Sequence, residues 1–224
     1  MPAKSLTTTI LSYFCLVTVA LCLWRQFMSI SREQEFKTTL TKTDFLAILN
    51  QFDFEPGFSQ MNTYYDTPTG AVKKAGLGLR IRQFKDRAEQ TLKVPNKNQH
   101  RDLEEITDPL TSVEARSLID QGQLKTGQVT TALAAREIDP AAVHPQTQAK
   151  TTRRVAHLKA GLLTLDQTFY MDNTSDFELE MEYHDLPQAQ AFYDTLLHQF
   201  NIEKRPVINK VQRAFMHVHD SQAD

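Results

Sequence analysis

The chain has 224 residues, 41% of them hydrophobic and 23% charged, with a formal net charge of −2. These values describe an ordinary globular protein with one main domain and exclude the broad basic field of a nucleic-acid binder, so a nucleic-acid duplex is not an expected partner. Both cysteines, Cys15 and Cys22, lie in an N-terminal apolar stretch, so the rest of the chain holds neither a disulfide framework nor a thiolate metal site.

Residues 1–28 differ in character from the remainder of the chain. Ser5 to Trp24 carries no charge and is mostly apolar, between Lys4 and Arg25. A spanning helix needs roughly 20 apolar residues, so two readings stay open: a membrane anchor over residues 5–24, or a true start at Met28. A cleaved signal is disfavoured, because no small-x-small site directly follows the apolar run, and a lipoprotein-type site is disfavoured because Leu21 precedes Cys22 where a small residue is expected. The expected location is cytoplasmic, or membrane-anchored if the first segment is real. The folded domain is expected over residues 29–219, with 220–224 as a tail.

Arg32 to Leu40 reads as the first strand. Glu33, Glu35 and Lys37 alternate with Gln34 and Phe36 and so share one strand face. Thr41 to Phe52 reads as a helix, with Thr41 and Asp44 spaced as a capping box and Phe45, Ile48, Leu49 and Phe52 forming an apolar stripe. Pro56-Gly57 breaks the chain, and Phe58 to Thr67 reads as a second strand. A short helical turn is expected near Ala71 to Ala75. Leu77 to Lys85 and Ala88 to Pro95 form a hairpin around Asp86-Arg87, and His100 to Thr107 a further strand. Residues 112–139 read as two helical pieces split around Gly122 to Gly127. Gln148 to Leu158, Leu162 to Met171 and Phe177 to His184 read as the last three strands. Leu186 to Phe200 is an amphipathic helix with Pro187 in its first turn, and Pro206 to His217 a final helix.

About eight strands, several joined by short turns, suit a closed antiparallel barrel. Arginines oppose aliphatics in Leu79-Arg80-Ile81-Arg82, and glutamates oppose Leu179 and Met181 in Glu178-Leu179-Glu180-Met181-Glu182. Lys93 opposes Leu92 and Val94. Two amphipathic helices need an apolar surface to cover. The expected fold is therefore α+β: an eight-stranded antiparallel β-barrel tunnel with a polar interior and helices packed outside. The competing arrangement is an open sheet whose charged face is simply solvated. Acids facing Arg and Lys in one tunnel suit a polyphosphate held with a hard divalent cation. Six of the seven histidines (His144, His157, His184, His198, His217 and His219) show no metal-ligand spacing, and Tyr64 and Tyr65 read as barrel and core aromatics.

Glu33-x-Glu35-x-Lys37 resembles the signature of the CYTH superfamily, the triphosphate tunnel metalloenzymes. Tyr64-Tyr65-Asp66-Thr67-Pro68, Thr91-Leu92-Lys93, Thr152-x-Arg154, Gly161 to Asp166, Phe177 to Glu182 and Arg205-Pro206-x-x-x-Lys210 agree in order with that family. The resemblance implies a tunnel binding triphosphate with Mg²⁺ or Mn²⁺. It implies Glu33, Glu35, Glu178 and Glu180 as metal ligands, and Lys37, Arg80, Arg82, Lys93, Arg101, Arg154 and Lys210 as substrate-binding residues. Glu35, Asp166 and Lys93 are implied as catalytic, with Asp166 matching an aspartate that ends the penultimate strand. The segment from Arg101 to Glu105 departs from the pattern: Leu103 interrupts the polar face, and Glu105 is favoured over Glu104 as inward-facing.

The implied activity is hydrolysis of a triphosphate, either inorganic tripolyphosphate or an organic one such as thiamine triphosphate. Three readings compete with it: an adenylate cyclase of the class IV type, a non-catalytic polyphosphate- or nucleotide-binding module, and a structural barrel without ligand.

Overall fold

The computed structural model of the chain describes residues 29–96, 102–205 and 208–219. Its strands are β1 (Ser29–Leu40), β2 (Phe58–Asp66), β3 (Gly78–Gln83), β4 (Ala88–Pro95), β5 (Asp102–Leu110), β6 (His144–Leu158), β7 (Gly161–Tyr170) and β8 (Ser175–Glu182). The helices are α1 (Lys42–Gln51), α2 (Ala71–Lys74), α3 (Ser112–Gln121), α4 (Gln128–Ala134), α5 (Leu186–Gln199) and α6 (Lys210–His219). The strands close into one antiparallel barrel in the order β1-β5-β4-β3-β2-β6-β7-β8. The long β1 seals it, pairing with β5 from Ser29 to Gln34 and with β8 from Glu35 to Leu40.

Strand periodicity sorts side chains between the two faces of this barrel. The aliphatics point outward and are covered by helices. Leu163, Leu165, Leu179 and Met181 pack with Phe45 and Ile48 of α1 and with Ala189, Tyr193, Leu196 and Leu197 of α5. On the other side Leu79, Ile81, Leu92 and Ile106 pack with Val72, Ala115, Val129 and Leu133. Both expected amphipathic helices thus find their apolar surface on the barrel's exterior.

Caps fix the covering helices. The Asp44 N–H donates to the Thr41 hydroxyl and the Thr41 N–H to the Asp44 carboxylate, and Thr111 and Glu114 repeat the arrangement at α3. The Asp66 carboxylate accepts from the Thr67, Val72 and Lys73 N–H groups, which ties the end of β2 to α2. Asp108 accepts from the Gln128 and Val129 N–H groups at the start of α4. Gly127 precedes that helix because a Cβ there would lie 2.6 Å from the Asp108 carboxylate.

The last helix, α6, begins at Lys210 rather than at Pro206 and lies against one end of the barrel. Its Ala214, Val211 and Phe215 pack with Tyr64, Ala149 and Tyr170. His217 stacks on Tyr170 at 4.0 Å between centroids and lies 2.7 Å from Asp172 in the β7–β8 turn. Strand β6 also starts earlier than its alternation predicts, at His144. Among the described residues no helix is long and apolar enough to cross a membrane. The anchor expected over residues 5–24 falls outside the described residues.

Candidate active site

The register converts sequence alternation into a charged interior. Lys37 pairs with Glu180, Glu35 with Glu182 and Thr39 with Glu178 across β1 and β8. Asp166 pairs with Glu178 on β8 and with Arg153 on β6. Arg80 pairs with Tyr64 and Thr91, Arg82 with Asn62 and Glu89, and Lys93 with Glu105. Paired residues share a face, so all of these side chains enter the same barrel.

One wall is a dense, buried network. The Arg153 guanidinium donates to both Asp166 oxygens, at 2.8 and 2.6 Å, and to Glu180 at 2.8 Å. Lys210 reaches Asp166 at 2.7 Å and Glu180 at 2.6 Å, and also pairs with Glu178. Lys37 lies 2.6 Å from Glu35 and 3.0 Å from Glu180. Arg213 donates to Glu178 at 2.8 Å and pairs with Asp176 at 2.6 Å. Burial opposes ionisation of Glu180, but Lys210, Lys37 and Arg153 hold it well below the usual carboxylate range. Burial likewise opposes the Lys37 ammonium, and Glu180, Glu178 and Glu35 outweigh it. Glu35 goes the other way. Burial and the neighbouring Glu180 push it up to about 7, against the pull of Lys37.

The opposite wall is looser. Lys93 bridges Glu33 at 2.5 Å and Glu105 at 2.8 Å. Arg80 stands 3.7 Å from Glu105, and Arg82 stands 3.3 Å from Glu89 while donating to Asn62 at 3.2 Å. A cavity of about 180 Å³ runs between the walls, lined among others by Glu33, Lys37, Arg80, Arg82, Lys93 and Glu180.

An oxygen from each of Asp166, Glu178 and Glu180 lies within 4.8 Å of the others. An all-carboxylate set suits a hard divalent cation. Those three donors fit a metal ion. Glu35 lies outside the group, and its buried Oε2 has no hydrogen-bond partner among the described residues.

The structure brings together Glu33, Glu35, Lys37, Arg80, Arg82, Lys93, Asp166, Glu178, Glu180 and Lys210. Arg101 lies outside the described residues. Arg154 is a correction. It sits on the β6 face opposite Arg153, and a Cβ at Gly57 would meet its side chain at 3.2 Å. Arg153 is the tunnel arginine, because it is the residue in register with Asp166. Asp166 itself stands inside β7 rather than at its end. Glu105 faces inward and Glu104 is exposed, while Leu103 lines the cavity.

Sequence reasoning missed Arg153, Arg213 and Glu182 as site residues. Glu182 continues the alternation of Glu178 and Glu180 and lines the cavity, and burial together with Glu33 and Glu180 raises its pKa. Arg213 comes after Lys210 at the three-residue spacing that puts two side chains on one helix face.

Comparison with known proteins agrees with this geometry. A family model described as the CYTH domain matches residues 31–215. YjbK of Bacillus subtilis, named provisionally as a triphosphatase, is 31% identical over 194 residues, covering 84% of this chain and 96% of its own. A Bacillus halodurans protein, named provisionally as an adenylate cyclase, superposes with a TM-score of 0.74 at 28% identity, covering 82% of this chain and 98% of its own. A Hippeastrum protein shares the fold at a TM-score of 0.69 and 19% identity, covering 83% of this chain and 96% of its own; its crystallographers describe a dominant triphosphatase activity. With a family model spanning most of its length and a relative 31% identical over 84% of the chain, the chain belongs to the CYTH domain family.

Proposed function

We propose that the protein is a triphosphatase that uses Mg²⁺ or Mn²⁺ to hydrolyse a triphosphate inside the barrel. The observation that carries this reading is one cavity lined by Arg80, Arg82, Lys93, Arg153 and Glu180, with Asp166 and Glu178 clustered behind Glu180. The name given to YjbK points to the same chemistry.

Asp166, Glu178, Glu180 and Glu35 would hold the metal, with Glu33 and Glu182 beside them. A bound divalent ion supplies positive charge to phosphoryl oxygens and acidifies bound water. The protein's own cations do the rest of the charge stabilisation. Arg80, Arg82, Lys93, Arg153 and Lys37 place fixed donors where negative charge accumulates as the terminal phosphoryl group leaves. Each is already positioned by a carboxylate, so substrate binding exchanges one anionic partner for another with little reorganisation. Lys210 and Arg213 contribute from α6, which ties that helix to the chemistry. Glu35, raised to about 7 by burial and Glu180 in the metal-free protein, would give up its proton as the ion binds, so metal affinity should rise with pH through this range. The products are orthophosphate and the shortened phosphate chain.

The test is a panel of tripolyphosphate, thiamine triphosphate, ATP and GTP with Mg²⁺ or Mn²⁺, measuring both orthophosphate and cyclic nucleotide. Orthophosphate release that EDTA abolishes is the expected result. Cyclic AMP as the main product would replace this reading with the cyclase. Tight binding without turnover under either metal would replace it with a binding module.

A further inference from the structure

The cavity has a second lobe that the triphosphate does not require. Tyr64, Tyr65, Val72, Leu77, Val211 and Phe215 form it, where the end of β2 meets α2, the start of β3 and α6. It joins the charged lobe at Arg80, which pairs with Tyr64 in the β2–β3 ladder. None of these six side chains carries a charge; Asp66 and Lys73 line the cavity beside them and offset one another, so the lobe offers a further phosphate group no net positive charge.

The Tyr64 and Tyr65 hydroxyl oxygens are buried and have no hydrogen-bond partner among the described residues, although the two residues are only 2% and 1% exposed. A buried hydroxyl without a partner is a standing cost to the fold, and two on adjacent residues of one cavity call for an explanation. The β2–β6 register slips between these two tyrosines, an irregularity of the kind that re-aims side chains beside binding sites. Burial pushes both hydroxyls above the usual tyrosine range, so both are protonated donors at neutral pH.

We propose that this lobe receives the organic group of an organic triphosphate, with the Tyr64 and Tyr65 hydroxyls donating to nitrogen or oxygen atoms of a heterocycle or its sugar. The proposal rests on the triphosphatase reading and narrows its substrate to an ester of triphosphate. Val72, Leu77, Val211 and Phe215 supply the apolar surface for the ring, and the charged lobe takes the phosphates.

The experiment uses the full chain with tripolyphosphate, ATP, GTP and thiamine triphosphate, before and after Tyr65→Phe. That substitution removes one oxygen and keeps the ring. KM for the preferred organic substrate should rise about tenfold, while tripolyphosphate kinetics stay within about twofold, because a polar lobe discriminates only against ligands that reach it. The melting temperature of the free variant should not fall, since the lost hydroxyl had no partner. Val211→Phe, which fills the lobe from α6, should weaken the organic substrate in the same selective way. Equal effects on both substrate classes, or on neither, would overturn the proposal. If the wild type hydrolyses tripolyphosphate but neither turns over nor is stabilised by any organic triphosphate, the lobe proposal falls and the triphosphatase reading stands. If no triphosphate is bound or hydrolysed, the triphosphatase reading itself has failed and the lobe proposal goes with it.

Discussion

The two walls of the tunnel hold charge under different conditions. On the β6–β8 wall, Asp166, Glu178 and Glu180 are almost fully buried and share Arg153, Lys37, Lys210 and Arg213 among them. On the β3–β5 wall the carboxylates are the open groups, Glu89 at 25% and Glu105 at 23% exposed, while Arg80 and Arg82 are as enclosed as Arg153 but make longer contacts. Burying an ion costs several kcal/mol, and only good geometry with opposite charges offsets it. The first wall therefore couples function to folding, because any member removed strands its partners. The second wall can lose a cation with little effect on the fold, because water reaches the carboxylate left behind.

Arg153→Met is the strongest way to expose this difference. It removes the cation shared by Asp166 and Glu180, so unfolding free energy should drop by about 3–5 kcal/mol in chemical denaturation. Activity should fall roughly 10²–10³-fold in kcat/KM. Its neighbour supplies the control: Arg154→Met should stay within about threefold of wild type, as a substitution outside the tunnel.

Arg82→Met probes the looser wall. Activity should again fall about 10²-fold, but the stability change should be within roughly 1 kcal/mol because the Arg82–Glu89 contact is partly solvated. Equal destabilisation by Arg82→Met and Arg153→Met would erase the distinction between the walls.

Glu35 sharpens the comparison through pH. Its carboxyl has an ordinary value of 4.5 and is raised to about 7 in the fold, by burial first and then by Glu180. A raised acid contributes stability that is complete below about pH 4.5 and is lost as pH rises through 7. Thermal unfolding of the metal-free protein should thus show a loss on the order of 3 kcal/mol from this group across that window. Glu35→Gln should flatten it, and an unchanged pH profile in that variant would contradict the assignment.

The smallest effect on activity separates the exterior from both walls. Gly127→Ala forces a Cβ against the Asp108 carboxylate and should cost roughly 1–3 kcal/mol, with kcat/KM unchanged at temperatures where the variant is folded.

Much of this arrangement was legible in the sequence because a strand has a period of two. Glu33, Glu35 and Lys37, or Arg80 and Arg82, declare a common face without any partner. Amphipathic stripes in α1 and α5 told which way that face points, since helices packed outside require aliphatic residues outside. The period fails where charge does not alternate. Arg153 and Arg154 are adjacent, either could face inward, and only the pairing of Arg153 with Asp166 decides. Arg213 was hidden for another reason: its role depends on α6 docking against the barrel end, a long-range event that local spacing does not report. Tyr64 and Tyr65 read as core aromatics, and Tyr65 does pack in the outer core. Their unpartnered hydroxyls are a property of the packed cavity and have no signature in the sequence.

The most direct measurement is diffraction from crystals grown with Mn²⁺ and a non-hydrolysable imido analogue of tripolyphosphate. An anomalous manganese peak is expected among Asp166, Glu178, Glu180 and Glu35, with phosphate oxygens on Arg80, Arg82 and Arg153. Manganese and analogue bound on the outer surface, with the tunnel's ion pairs intact and its centre empty of both, would contradict that expectation.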